Sequence, residues 1–358
     1  MQNKLFVLRR IKMAETNKED KRKSYDSFDL FKFIAAIMVV SVHTRFLGDS
    51  RFHWLHPWCR IAIPVFFMIS GFLFFSKYDS LPEGEKNAYL WKFIKRDLLL
   101  YLFWFIIFLP FTIVYRGYFH KGIEFFLGTI FLGSSFPASW YLMALAIGIL
   151  IVAKLYKGAG RYILPIAAFL MYLICLGQYT WRPLFDQLGI GRIYVIPDLR
   201  FANNFFVAVT WIWISRIFVT YKEKLLAVNL KKVLALFVLS LVLLWLEHHY
   251  LYQKGWFTYN NDVYFFGLLS GPILFWIIVH LDIHVKNAKF LRCMSTLIYC
   301  IHATFIEFLR IYVILPKFGE YELPISLLCF VGTLAFSMLT GWLILKGSKK
   351  IKILKYAY

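Results

Sequence analysis

Acidic residues are scarce in this chain. Twenty Asp and Glu stand against 41 Lys and Arg, and charged residues of both signs make up only 17% of it. With 60% hydrophobic residues, against about 45–50% for a soluble domain, an ordinary water-soluble fold is excluded. The cations sit in short loops between apolar runs and do not cluster with stacking aromatics. The net charge of +21 therefore argues for a membrane and against a nucleic-acid partner. Only five cysteines occur (Cys59, Cys175, Cys293, Cys300 and Cys329), with no CxxC and no ligand spacing. Neither a disulfide framework nor a metal site is expected, and small packing residues account for them. A cleavable signal peptide is lacking: residues 1–24 hold only the short apolar stretch FVL among basic residues, and Met13 is an alternative start. No internal repeat or low-complexity tract is present, and no globular domain follows the last apolar segment.

What the chain has instead is apolar length. Ten segments are expected to be membrane helices: about 28–47, 58–76, 98–115, 140–156, 162–180, 201–219, 233–250, 263–281, 294–315 and 323–346. The expected architecture is an all-α, polytopic membrane protein with a basic arm at 1–24, a membrane domain at 25–346 and a basic tail at 347–358. Pro64, Pro110, Pro165 and Pro272 fall inside spans, as membrane helices permit when neighbours satisfy the freed backbone groups. With the N-terminus inside, 29 Lys and Arg fall on inner segments and 10 on outer ones. That bias places both termini in the cytoplasm. The longest outer segments are about 116–139 and 178–200. The second mixes aromatics with Arg, Asp and Gln, which suits a sugar-like surface as well as an ordinary interfacial loop.

An ionisable side chain inside the bilayer faces a cavity or a partner. The first helix, FDLFKFIAAIMVVSVHTRF, carries Asp29, Lys32 and His43. Lys32 and His43 lie ~20° apart around an α-helix, and Asp29 and His43 ~40° apart, so the three share one stripe. They differ in height: His43 stands roughly 16–21 Å beyond the other two. The alternative is that Asp29 caps the helix, Lys32 snorkels and His43 makes an interhelical bond. In the second helix, RIAIPVFFMISGFLFF brings Arg60 into the membrane near the level of His43, and a buried arginine needs an anion or acceptors. Ser70 and Gly71 permit close helix approach. The ninth helix, STLIYCIHATFIEFLR, puts Tyr299 and His302 on one face, with Glu307 nearer the level of His43. His302 reads as a packing and hydrogen-bonding residue. Glu307 is positioned to orient a histidine, to pair with Arg60, or to pair with Arg310 one turn on. His248, His249, His280 and His284 fall at span ends, where interfacial residues are expected. Lys92, Lys95 and Arg96 in LWKFIKRDLLL fit positive-inside topology, and more sharply a polyanion such as coenzyme A.

These stretches resemble the acyltransferase 3 family of integral-membrane acyltransferases. Asp29, Lys32 and His43 look like its first-helix signature. RIAIPVFFMISGFLF, with Arg60, Phe66, Phe67, Ser70 and Gly71, is similar to its second motif. SWYLMALAIGI and STLIYCIHA resemble its fourth-helix and late Ser–Tyr–His motifs. Two positions depart: Lys32 stands where the family has Arg, and Leu99 occupies the second place of a paired-arginine motif that Arg96 begins. The resemblance implies a ten-helix enzyme in a bacterial plasma membrane. It implies transfer of an acyl group, commonly acetyl, from cytoplasmic acyl-CoA to a hydroxyl of a surface polysaccharide or lipid-linked glycan. In that scheme Lys32, Lys92, Lys95 and Arg96 hold the phosphates of the donor, acetyl-CoA being the expected one. His43 acts as base or acyl carrier, Arg60 stabilises the oxyanion or orients the acceptor, and Asp29 holds Lys32 or shapes the donor entrance. Tyr299, His302 and Glu307 support the site, and no metal is called for. The rival expectation, from intramembrane charge alone, is an exporter of a polysaccharide or glycolipid.

Overall fold

Among the described residues, helices of 14 residues or more fall at the expected segments: α1 (Asp26–His43), α2 (Ala62–Asp79), α3 (Glu83–Arg116), α4 (Trp140–Leu155), α5 (Gly160–Gln178), α6 (Phe205–Thr220), α7 (Leu230–Gln253), α8 (Gly267–His280), α9 (Ala288–Leu309) and α10 (Leu323–Gly347). They come from a computed structural model that describes residues 25–45, 47, 51–116, 135–190, 204–258, 262–318 and 323–358. The basic arm at 1–24 and much of the two long loops expected at 116–139 and 178–200 lie outside the described residues. Among those described there is no strand, so the all-helical expectation holds.

Among the described residues, five stretches are long and apolar enough to cross a membrane: His53–Asp79, Glu83–Val114, Gly160–Gln178, Ala288–Phe318 and Leu323–Gly347. Three more, Trp140–Leu155, Phe205–Thr220 and Gly267–His280, are apolar but shorter. The remaining two, α1 and α7, are interrupted by charge: Asp26, Asp29 and Lys32 in one, Lys231, Lys232 and Glu247 in the other. Asp29 and Glu247 are buried inside the protein, as an intramembrane carboxylate requires, while α7 turns Leu236, Val238, Leu239 and Leu246 outward.

α1 packs against α9, α2, α8 and α10, and α2 against α6, α1, α8 and α3. The pair therefore forms the middle of the bundle. Small residues let it close: Ala35 and Ala36 of α1 are buried, and a Cβ placed on Gly71 would overlap the Ser215 hydroxyl of α6. That is the close approach expected of Ser70–Gly71, although Ser70 itself is used for hydrogen bonding. Phe28, Phe72 and Phe275 join α1, α2 and α8 by edge contacts, with ring centroids 5.6 Å apart for Phe28–Phe72 and for Phe72–Phe275. Such geometry suits the aromatic quadrupole. α1 begins with Asp26 and Asp29 in its first turn, where carboxylates are favourable to the helix dipole. Pro64 lies in the first turn of α2, where no intrahelical bond is lost, whereas Pro110, Pro165 and Pro272 lie inside helices. After α10 the chain turns back through a 3-10 segment, Lys352–Ala357, and the Trp104 indole of α3 donates to the Ala357 carbonyl at 3.0 Å.

Candidate active site

At the C-terminal end of α1 the helices part around a cavity of about 700 Å³, some of it open to solvent. His43 and Arg60 both line it, with Trp140, Trp211, Tyr264 and Tyr299. The sequence stripe ending at His43 and the arginine entering α2 thus converge. His43 keeps an exposed side chain between buried neighbours, Val42 and Thr44, because its ring meets the cavity. Trp211 is 2% exposed and its indole N–H has no partner among the described residues, which leaves a donor at the wall.

Behind His43 stands His302 of α9, the ring centroids 5.2 Å apart. His302 is fully buried, and its Nδ1–H donates to the carbonyls of Tyr299 (2.7 Å) and Ile298 (3.1 Å). A neutral imidazole has one proton, so Nε2 carries a lone pair, and it has no partner among the described residues. His302 is therefore more than packing: it holds a free acceptor beside His43. Tyr299, one turn earlier, sets its ring 5.7 Å from His302 and donates its hydroxyl to the Ala138 carbonyl at 2.7 Å. Ala138 has φ of 62°, a left-handed conformation uncommon for alanine, and this bond steadies it.

Arg60 is paired with Asp262, and its Nε donates to His56 Nε2 at 3.3 Å. Glu307 does not reach Arg60 or a histidine. It accepts from Arg310 at 2.7 Å, the helical i, i+3 partner, which removes it from the site. Asp262 arrives instead from the segment that precedes α8. Glu247 of α7 clamps that segment, accepting the backbone N–H of Phe265 (2.7 Å) and Phe266 (2.8 Å) and the Trp181 indole N–H (2.7 Å). These N–H groups belong to the unsatisfied start of a helix, where a carboxylate is favourable. Tyr172 donates to the Tyr264 carbonyl at 2.7 Å and Thr180 to that of Val263.

The N-terminal end of α1 holds a second set of charges. Asp29 lies inside the helix rather than at its cap and is buried, with bidentate bonds from Arg292 of α9 at 2.8 and 2.7 Å. Asp29 thus neither caps α1 nor pairs directly with Lys32, and of its expected roles shaping the donor entrance is the one left. Lys32 instead donates to Ser70 at 3.4 Å, and the Ser70 hydroxyl meets that of Tyr141 at 3.2 Å. Lys32 lies within electrostatic reach of Asp29, Arg96, Arg292 and Asp97. Asp97 is buried, and its Oδ2 has no partner among the described residues. Lys92, Lys95 and Arg96 are exposed on α3, with the Arg96 guanidinium 5.4 Å from the Phe93 ring centroid. Between the two sets, Tyr141 and Tyr299 face each other at 5.2 Å. A file of polar side chains thus runs from Lys32 through Ser70, Tyr141, Tyr299 and His302 to His43.

His248, expected as an interfacial residue, is fully buried and bonded to His53 and Tyr264 at 3.0 Å each. Arg292, Asp97, Asp262, Tyr264 and His56 were not singled out in the sequence. Each lies far along the chain from the residue it meets, except His56, one turn before Arg60. That i, i+4 spacing was the only local signal available.

A family model described as an acyltransferase domain matches residues 25–342. Three curated relatives are similar over parts of the chain. An amino-acid racemase of Enterococcus faecalis is 32% identical over 162 residues, 44% of this chain and 22% of that protein. A serine/alanine racemase of Enterococcus gallinarum is 28% identical over 243 residues, 63% of this chain and 33% of its own length. A further amino-acid racemase of E. faecalis is 23% identical over 350 residues, 92% of this chain and 47% of that protein. The chain spans less than half the length of the curated relatives it matches. No solved structure matches it.

Proposed function

The chain belongs to the acyltransferase 3 family, and on that footing we propose that it moves an acyl group, acetyl first, from acyl-CoA to a carbohydrate hydroxyl. The donor enters at the Lys32 end and the acceptor at the cavity of His43. All ten helices take part in the membrane domain, with both termini on the cytoplasmic side of a bacterial plasma membrane. The observation that carries the reading is His43: a solvent-reachable imidazole in a cavity, at one end of a polar file whose other end is cationic.

The donor phosphates bind the cations at the far end, Lys32 and Arg96 first, with Lys92 and Lys95 on the exposed face of α3. The thioester arm then lies along the roughly 16 Å that separate Lys32 from His43. His43 takes the proton of the acceptor hydroxyl, as an imidazole is suited to do. The acceptor oxygen attacks the thioester carbonyl, and the Arg60 guanidinium faces the developing oxyanion. The tetrahedral adduct collapses, the C–S bond breaks, and the thiolate takes the proton held by His43. The His302 Nε2 lone pair accepts the other N–H of His43 after a small ring rotation, which orients the base and stabilises its protonated form. Trp140 and Trp211 offer ring faces, and Trp211 an N–H, to a sugar.

The test is mass spectrometry of surface glycans from cells expressing the wild type, the His43→Ala variant or neither. A mass increment of one acetyl group per modified residue, present only with the wild type, supports the reading. Equal acetylation by a well-expressed His43→Ala protein removes His43 from the chemistry.

A second reading is favoured by one observation. Arg60 and Asp262, paired with each other, put opposite charges at one cavity, complementary to the carboxylate and ammonium of a small amino acid, and one relative carries the name serine/alanine racemase. On that reading the chain is a carrier. Vesicles separate the two: a carrier moves labelled serine without an acyl donor.

A further inference from the structure

Four side chains extend outward from Arg60 in an unbroken hydrogen-bonded file. Arg60 Nε meets His56 Nε2 at 3.3 Å, and His56 Nδ1 meets the Tyr264 hydroxyl at 3.3 Å. The same hydroxyl meets His248 Nδ1 at 3.0 Å, and His248 Nε2 meets His53 Nδ1 at 3.0 Å. His53 is half-buried and stacks on Tyr252, ring centroids 3.8 Å apart. His56 and His248 are 1% and 0% exposed, so the inner part of the file is sealed from water.

The direction of every proton in this file follows from its inner end. A guanidinium can only donate, so His56 Nε2 accepts and its single proton sits on Nδ1. Tyr264 accepts that proton and gives its own to His248 Nδ1. His248 then carries its proton on Nε2 and gives it to His53 Nδ1, which leaves the His53 proton on Nε2. Each member turns an acceptor toward the Arg60 cation and a donor away from it. The four dipoles add, and together they solvate a guanidinium that lies mostly out of water. The reverse orientation would require Arg60 to accept a hydrogen bond, which it cannot.

We propose that His56, Tyr264 and His248 are positioning residues that act through one another to fix Arg60 on the acceptor, with His53 as the outer end of the file. The proposal rests on the acyl-transfer reading for the role of Arg60, but the file itself does not. Removing the Tyr264 hydroxyl severs the file at its centre and takes the acceptor from His56 Nδ1–H. The acceptor that His56 presents to Arg60 Nε–H then loses its backing, and the orientation of the guanidinium in the cavity loosens. Protonation of His53 has a similar effect from outside: both its nitrogens become donors, and His248 Nε2–H loses its acceptor. Among the described residues, His249 and Tyr252 of α7 lie near His53, Glu247 precedes His248 but is engaged with Phe265 and Phe266, and His43, Cys59 and Asp262 surround Arg60. Both carboxylates near the file are engaged elsewhere, Glu247 with backbone N–H groups and Asp262 with Arg60.

The experiment uses the full chain, labelled with 15N-histidine, in lipid nanodiscs at neutral pH, with its nine histidines assigned by single His→Gln variants. The 15N–1H correlations distinguish Nδ1–H from Nε2–H tautomers. Expected are Nδ1–H for His56 and Nε2–H for His248 and His53. Tyr264→Phe is expected to mix the His56 and His248 tautomers. Nε2–H at His56, or Nδ1–H at His248, overturns the file. In parallel, acetyl transfer to surface glycan by intact cells is followed against external pH. Tyr264→Phe is expected to lower it roughly tenfold, the size of one lost buried hydrogen bond, and to flatten its fall on the acid side. His56→Gln, whose amide keeps a donor and an acceptor, is expected to lose less. A Tyr264→Phe protein with the wild-type rate and wild-type acid limb refutes the positioning role. Wild-type cells that transfer no acyl group at any pH refute the acyl-transfer reading, while the tautomers still decide the file.

Discussion

His43 and His302 set their rings 5.2 Å apart, and the His302 nitrogen that has no partner among the described residues is its acceptor. Carbonyls of its own helix hold its other nitrogen protonated. The tautomer is thus imposed by α9 and not by His43, so His302 stands ready to accept before any substrate arrives. A base backed by a fixed acceptor is oriented and better able to carry a proton.

From this follows an order of severity. His43→Ala is expected to abolish acyl transfer. His302→Ala is expected to lower it by about ten- to a hundredfold, the range for loss of a supporting partner, with the fold retained by circular dichroism. A His302→Ala protein as dead as His43→Ala would make the two histidines equal partners in the reaction. One with the wild-type rate would return His302 to packing alone.

The Asp29–Arg292 pair makes a stability prediction. Its carboxylate side chain is 4% exposed, whereas that of Arg292 is 62% exposed. The uncompensated group after a single change matters accordingly. Arg292→Ala strands a buried carboxylate and is expected to destabilise by about 1–3 kcal/mol, discounted for the wet guanidinium. Asp29→Asn leaves a cation that water can reach and is expected to be milder. Thermal unfolding in detergent, read for both single variants and for the double variant, gives the coupling. Additive losses would show that the bidentate geometry contributes nothing.

Glu247 is expected to control the cavity without touching it. Its two oxygens accept three N–H groups, two of them from the segment that carries Asp262 and Tyr264. Glu247→Gln keeps one good acceptor and turns the other end into a donor facing an N–H. The expected result is a loss of about 1–3 kcal/mol of stability with a raised KM for acceptor and a smaller change in kcat. A variant that loses stability but keeps both constants would confine Glu247 to the fold.

Much of α1 was legible before any coordinates. Helical spacing alone put Asp29, Lys32 and His43 on one stripe, and Arg60 was placed near the level of His43 by the shortness of the intervening loop. Both readings agree with the shared cavity. The partners were not legible. Asp29 faces Arg292, 263 positions away, and Arg60 faces Asp262, 202 positions away by their numbering. No periodicity links residues on separate helices, so the sequence marks neither Arg292 nor Asp262 as a partner. Glu307 shows the converse. Its true partner, Arg310, was the local one, and the tempting long-range alternatives failed because an i, i+3 pair needs no tertiary arrangement. His248 stands at the end of an expected span yet is fully buried, because the fold closes over that end of α7.

The cations at the Lys32 end carry the last prediction, and the polar file makes it specific. Lys32 lies within electrostatic reach of the engaged pair Asp29–Arg292 and of Asp97, whose Oδ2 has no partner among the described residues. Arg292 is held by Asp29, so Lys32 and Arg96 are the groups nearest the file with charge to offer a phosphate. Lys32→Ala and Arg96→Ala are each expected to weaken acetyl-CoA binding by about tenfold, the loss of one charge-assisted bond, with kcat less affected. Lys32→Arg is expected to bind at least as well as the wild type, since a guanidinium adds a second donor. Glu307→Gln serves as the control, because its pair lies outside the site and an i, i+3 bond contributes only about 0.2–0.5 kcal/mol. Isothermal titration of acetyl-CoA into nanodisc-embedded protein reads all four. Unaltered affinity in both alanine variants would leave these cations as topology signals and move the donor site elsewhere.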